Sequence, residues 1–580
     1  MKDKNSYNLI LLGGTGARCG EIFVYMCANG YFDCDVVHIL YIDSDRENGN
    51  GEMFRAVVKQ YQACRERYAL KNSPIPCFFK PKIHLTEQTP VGGLSHFKDL
   101  AAPSQNGVGQ VNSAEALMRV LYSDEEMEMK ISDGFFAHPN VGAALFASNM
   151  DAVMGDFLRI IQAERDTKDV KVFLVGSLFG GTGASALPTI SKYLKKKLHV
   201  DSGNKLIDEH LKIGVCMVLP YFVFARDGWK AGMSQSSGGD AQIEAEKFAT
   251  KTKSALEYYK YINSDPDGAV FDSLYILGHD GEDVRGVYAT AGSEQRNLPH
   301  IVEMYGAMAG VHFFKDDSGS GQHYFATVGK KTIGWTDIYK NTRGFFSFFI
   351  MMRFAIVMKS LILEELFDYQ KQNKLKKKAR NIPWYYDFLN GKDQSVDMQE
   401  DQLYHKFEDI SYFCDSYIRW FSELSLSGVD MVKALDQIRY RESGKQGGKT
   451  TSEADVESDV VEYLRLFSEE ILIRQHHNNL VTLGRGCGKD DTVNAGIYAA
   501  NLKYIRRHFK SLAPVHPSND LETEKIGMEE IWSRICDLGF KSSAAGDYGP
   551  LVENISLSND KSMDACVRNL VNAVFIACMI

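Results

Sequence analysis

Several things are missing from this 580-residue chain. Its 11 cysteines stand singly with no CxxC pair, so neither a zinc site nor a disulfide framework is indicated, and reduced cytosol is the expected compartment. It has no basic excess. With 66 Lys and Arg against 75 Asp and Glu, the net charge of -9 gives no electrostatic invitation to nucleic acid or anionic lipid. The basic runs at 195–197 and 374–380 read as solvated helix ends. No unbroken apolar run is long enough for a bilayer. The most apolar stretch, GFFSFFIMMRFAIVMKSLILEEL from Gly344, carries Arg353 and Lys359, charges that are costly at a membrane centre, so a buried helix is expected there. No signal segment is expected at the start of the chain, and no repeat or low-complexity array runs through it.

What is present is a soluble-protein composition, 44% apolar and 24% charged, long enough for two to four domains. Apolar runs begin at Asn8 (NLILLG), Val36 (VVHILYID), Lys171 (KVFLVGS), Lys212 (KIGVCMVLP) and Asp272 (DSLYILG), with helical patterns between most of them. Runs apolar throughout and separated by helices predict an α/β fold with a mainly parallel sheet covered on both faces. After about residue 340 the spacing turns helical, as in 344–380, 398–441, 452–476 and 492–511. The chain is therefore divided into an α/β domain over 1–340, with an insertion at about 46–133, and a mainly helical C-terminal domain over 341–580.

Two of the predicted strands run into glycine loops that open helices. The first is LILLGGTGARCGEIF from Leu9, with a helix expected to start near Arg18; the second is VFLVGSLFGGTGASALPTISKYL from Val172. Backbone amides at a helix N-terminus are aimed at an anion, and phosphate is the usual one. The common phosphate loop ends in Gly-Lys-Ser/Thr, yet Ala184, Ser185 and Ala186 follow the last glycine here. Read alone, the first loop suits a dinucleotide, with Asp43 at the end of the next strand as the ribose acid. Two such loops at strand carboxyl ends can also close on one polyphosphate, a nest of amides replacing the lysine.

The stretch SLFGGTGAS resembles the GGGTGS/T signature loop of the tubulin and FtsZ superfamily, with Phe179 where the family's first glycine lies. LLGGTGARCGEI resembles the family's first loop and YIDSD the end of its second strand. AHPNVGAAL from Ala137 resembles the loop facing the terminal phosphate, LPYFVFARDG the strand and loop after the signature helix, and LYILGHD the next strand with its base-proximal loop. QRNLPHIVEMYGAMAGVHFF from Gln295 is similar to the central helix whose N-terminal end meets the base. IGWTDI from Ile333 lies where the family has its catalytic loop. The likeness covers roughly 8–340, and divergent bacterial tubulin-like proteins are the nearest pattern.

The resemblance implies GTP or GDP with Mg2+, held by Gly13, Gly14, Thr15, Gly16 and Arg18 on one side and by Gly180, Gly181, Thr182, Gly183 and Ser185 on the other. His138 and Asn140 fall to the terminal phosphate. Asn297, His279, Tyr221 and Phe222 fall to the base and ribose, and Asp43 and Asp45 to the metal through water. It also implies head-to-tail self-association into oligomers or filaments, with Asp337 of one subunit aligning water in its neighbour's site. Gly334 stands where FtsZ has its other acid, so a non-hydrolysing scaffold or sensor, as in a bacterial conflict system, is the alternative. A dinucleotide-dependent oxidoreductase is a further one. Protein partners are expected for 341–580, and neither nucleic acid nor a membrane for any part.

Overall fold

The computed structural model describes residues 6–32, 34–70, 78–101, 113–135, 137–165, 169–198, 210–221, 248–264, 270–278, 292–293, 295–315, 322–326, 348, 351, 354–355, 358–359, 401–425 and 562–579. They form an α/β sheet region and a helical later region. The sheet has seven strands: β1 (Ser6–Leu12), β2 (Val36–Ile42), β3 (Lys82–Gln88), β4 (Val170–Ser177), β5 (Leu211–Val218), β6 (Ser273–Leu277) and β7 (Gln322–Ala326). Their order is β3-β2-β1-β4-β5-β6-β7, and every neighbouring pair is parallel. The order therefore reverses direction between β1 and β4, the crevice where open α/β sheets take their ligands.

The helices that cross between strands are α1 (Gly13–Ala28), α2 (Gly49–Tyr68), α3 (Ser113–Leu121), α4 (Asp124–Met127), α5 (Pro139–Arg165), α6 (Gly181–Leu198), α7 (Phe248–Asn263) and α8 (Ile301–Lys315). Alternation along the central strands sorts the core into two faces. Ile10, Leu12, Val172, Leu174, Ile213 and Val215 join one buried cluster with Leu145, Phe146, Leu187 and Ile190 of α5 and α6. Leu11 and Phe173 point the other way, where the chain needs glycines: a Cβ on Gly16 would lie 2.8 Å from the Leu11 carbonyl carbon, and one on Gly310 would lie 3.0 Å from Phe173.

Helix α6 carries Pro188 in its interior, which removes the N–H that would bond the Ala184 carbonyl one turn earlier. The Tyr259 hydroxyl of α7, itself buried, donates to that carbonyl instead. The orphaned acceptor is thus satisfied from a neighbouring helix.

By internal contacts the chain divides into two units, one comprising 1–23, 34–58 and 82–340, the other 24–33, 59–81 and 341–580. The second unit has its own core. On α9 (Asp401–Ser425), Phe413, Tyr417 and Trp420 surround Tyr25 with ring centroids 4.9–5.8 Å away. Phe575 of α10 (Met563–Met579) stacks on Phe78 at 4.3 Å, and Asn572 donates to the Tyr68 carbonyl at 2.7 Å. Lys359 meets Asp415 at 2.9 Å, where burial pushes the aspartate up to about 6 and the ammonium partly offsets that rise. The stretch 46–133 holds α2 and the edge strand β3, so it contributes to the sheet itself.

Candidate functional site

The two glycine turns meet. Gly13, Gly14 and Thr15 of the first and Gly180, Gly181, Thr182 and Gly183 of the second line a single cleft at the carboxyl ends of β1 and β4. A Cβ on Gly13 would come within 3.5 Å of Thr182. The first helix starts earlier than expected, α1 beginning at Gly13 and not near Arg18, while α6 opens within its glycine loop at Gly181. The glycines are thus the first turns of the helices, whose leading N–H groups have no intrahelical acceptor. Neither first turn holds a carboxylate, so two positive helix ends face the same space with no acid of their own.

The glycines divide by task. Gly13 has φ +65, a left-handed conformation that a side chain resists, and Gly14 faces the cleft beside Asn50. Gly16 is absent from the lining and packs on the β1 backbone, while a Cβ on Gly20 would collide with Leu11 at 2.4 Å. Gly183 lines the cleft but also rests on the Ser177 backbone, 2.5 Å from where its Cβ would stand.

Arg18 also lines the cleft, yet it is buried and held by partners from other elements. Its Nε pairs with Glu303 of α8, and its Nη2 donates to the Tyr221 hydroxyl at 2.7 Å and to Thr15 Oγ1 at 3.3 Å. Burial alone would lower the guanidinium pKa; Glu303 and Tyr221 more than reverse this and hold it above its ordinary value. Tyr221, expected against a base, is fully buried beneath the cleft, donates to Glu303, and is not part of the lining. The role of its ring is to pack, edge-on to Phe179.

Three further positions stand away from the lining. Ser185 Oγ donates back to the Gly181 carbonyl at 2.7 Å within its own helix, the usual habit of a helical serine. His138 and Asn140 are outside the lining, and Asn140 Nδ2 donates to Glu126 at 2.6 Å. The residues just before them, Asp133, Gly134, Phe135 and Ala137, form that wall, with Ala137 at φ 58. A Cβ on Gly181 would strike Phe135 at 2.4 Å, so the wall closes directly on the second turn.

Asp43 and Asp45 do line the cleft. Both oxygens of Asp45 are engaged by backbone donors, Glu47 at 3.0 Å and Gly292 at 2.8 Å. Asp43 accepts from the Tyr41 hydroxyl at 2.9 Å, and its carboxyl is pushed up to about 7, chiefly by burial, with Asp45 adding and the Tyr41 hydrogen bond opposing. Among the described residues, no group of three or more His, Cys, Asp or Glu is arranged to hold a metal ion. Carboxylates already engaged by these donors suit a hydrated cation met through water better than direct coordination.

The far wall is made of carboxamides that the sequence reading did not single out, apart from Asn297. Asn48 Nδ2 donates to Gln295 Oε1 at 2.6 Å, Asn50 Nδ2 to the Gln295 carbonyl at 2.8 Å, and the Asn297 amide to Asn50 Oδ1 at 3.0 Å. These bonds tie the segment before α8 to the start of α2, and Asn297 lines the cleft with them. Gln295–His300 precedes the helix, which runs only from Ile301 to Lys315 and crosses to β7. His279, Phe222 and Asp337 lie outside the described residues. Compared with known proteins, the chain matches no protein-family model and no curated protein.

Proposed function

We propose that this chain binds a nucleoside triphosphate, GTP by resemblance, in the cleft between its two glycine turns, and associates head to tail in a nucleotide-dependent way. The observation that carries the reading is that Gly14 and Gly181, on separate helices, line one cleft with no carboxylate in either first turn. Backbone amides and two helix dipoles then supply what a phosphate-loop lysine would. Asn297 faces the base, and Mg2+ enters with the phosphates. Asp337 of a neighbouring subunit is the candidate for aligning water, so turnover belongs to the assembly, and a nucleotide-bound subunit without turnover is the scaffold or sensor alternative.

A second reading, a dinucleotide site, is favoured by one specific feature. The strand order contains 3-2-1-4-5-6 and puts Asp43 at the end of β2, the arrangement that takes a ribose hydroxyl in dinucleotide-binding sheets. The second glycine turn is better explained by a polyphosphate. Sedimentation with GTP, GDP, ATP or NAD separates the two. Pelleting with GTP, and phosphate release lost in Asp337→Ala, supports the assembling GTPase; GTP binding without pelleting or release leaves the scaffold; binding of NAD alone overturns both.

A further inference from the structure

Beneath the cleft lies a buried charge cluster that the glycine turns do not explain. Arg18 is 6% exposed, Tyr221 1%, His300 0% and Glu303 0%. Glu303 does two things at once. Its Oε1 takes the Arg18 Nε and the Tyr221 hydroxyl, and its Oε2 accepts the His300 amide at 2.9 Å. His300 Nδ1 in turn accepts the Val302 amide at 3.1 Å, and the Glu303 amide bonds the His300 carbonyl at 3.0 Å. This is a reciprocal N-terminal cap on α8, with histidine in the place of the usual serine or threonine.

Three of the five guanidinium N–H groups are taken up by this cluster, Nε by Glu303 and the two on Nη2 by Tyr221 and Thr15, which leaves Nη1 beside Gly14. The Gly14 Cβ position is 3.7 Å from Nη1, and Nη1 makes no hydrogen bond among the described residues. Among the described residues of the lining, Arg18 is the one cation, beside the acids Asp43, Asp45 and Asp133.

We propose that Arg18 is the cation of this lysine-free cleft and Glu303 its internal counter-anion, so that a phosphate bound at the Gly14 turn draws on Arg18 against Glu303 and is coupled to the cap of α8. The inference rests on the nucleotide reading above. With the cleft empty, the carboxylate neutralises a guanidinium that burial would otherwise leave costly. With phosphate against Nη1, two anions share one planar cation through different edges, as the fork geometry of arginine permits. Each anion then weakens the hold of the other, because both lie in a medium where water screens poorly. Glu303 therefore limits affinity for the phosphates, and phosphate loosens the cap.

The test is calorimetric titration of the full-length protein and its variants with guanosine, GMP, GDP and GTP. In Glu303→Gln, whose amide oxygen still accepts from His300, GTP binding is expected to tighten by about tenfold, the size of one unit charge at this range. The gain should shrink through GDP and GMP and vanish for guanosine. A residue that only holds the fold would change all four ligands alike or weaken them. Because Glu303→Gln leaves a buried arginine unpaired and can lower stability, the neutral pair Arg18→Gln with Glu303→Gln serves as the second variant, and it should bind GTP more weakly than the wild type. Unchanged or weaker GTP binding in folded Glu303→Gln overturns the counter-anion role, as does an equal gain for guanosine or full GTP affinity in the double variant. If the wild type itself binds none of the three phosphorylated ligands, the nucleotide reading fails first and this inference with it.

Discussion

A methyl group added to Gly13 would rest 3.5 Å from Cβ of Thr182, so the first residue of α1 and the first turn of α6 stand within van der Waals reach. They are neighbours because β1 and β4 are adjacent parallel strands whose chains both turn into helices at the carboxyl edge. Two helix N-termini pointing into one space repel each other unless something negative lies between them. Asp43, Asp45 and Asp133 line the same cleft but lie outside both first turns, so the leading N–H groups of the two helices are the donors offered to a bound anion.

The glycines separate binding from folding. Gly16→Ala would press a methyl onto the Leu11 carbonyl carbon at 2.8 Å, a backbone atom that cannot step aside, and should cost about 1–3 kcal/mol of stability. Gly14→Ala meets only side-chain ends, Asn50 at 3.1 Å with Asn48 and Arg18 in ordinary contact at 3.6 and 3.7 Å, and should cost less, about 1 kcal/mol or below, while weakening nucleotide binding. Urea melts paired with GTP titration of the two variants check this contrast.

Tyr259→Phe tests the repair of the proline gap. Losing one hydroxyl leaves the Ala184 carbonyl buried without a donor, because Pro188 has none to give. The expected loss is about 1–3 kcal/mol. Adding Pro188→Ala, which returns the missing N–H, should recover part of it in a double-mutant cycle.

Asp43 predicts a pH dependence of stability. Its folded pKa of about 7 lies above the unfolded value of about 4. The folded state therefore keeps a proton that the unfolded chain gives up, and the contribution is fully present below about pH 4 and lost as pH rises toward 7. Asp43→Asn should be more stable than the wild type at pH 8, and the difference should close on titration toward pH 4. Denaturant midpoints across that range measure it; a difference that grows on acidification contradicts the assignment.

Ending the chain at Lys340 should not give a well-behaved fragment. Residues 24–33 and 59–81 belong to the unit formed with 341–580, and Tyr25 packs among Phe413, Tyr417 and Trp420. Their loss would expose aromatic surface, so aggregation and strong binding of a hydrophobic dye are expected. A soluble, dye-silent fragment would contradict this.

The sequence announced the strands that are buried on both faces and was silent about the edges. β1, β4 and β5 read as apolar runs because they are buried on both faces, and β2 and β6 beside them keep enough apolar residues to read the same way. β3, KIHLTEQ, and β7, QHYFA, end the sheet, and β3 carries partly exposed polar side chains that resemble loop. The convergence of the glycine turns was legible because each lay between an apolar run and a helical pattern. Glu303 was not. It sits within the apolar helix IVEMYGAMAG, and its partnership with Arg18 exists only once α1 and α8 are folded beside one another. The carboxamides Asn48, Asn50 and Gln295 were hidden for the same reason: polar residues between elements carry no period, and their mutual bonds are long-range.

Hydrogen exchange of the full-length protein with and without GTP and Mg2+ tests the shared cleft most directly. The account predicts that amides of the Gly13–Arg18 turn and of the Gly180–Ser185 turn slow together, at one GTP concentration, with NAD having no such effect. Slowing of one turn alone, or of both with NAD but not GTP, would contradict it.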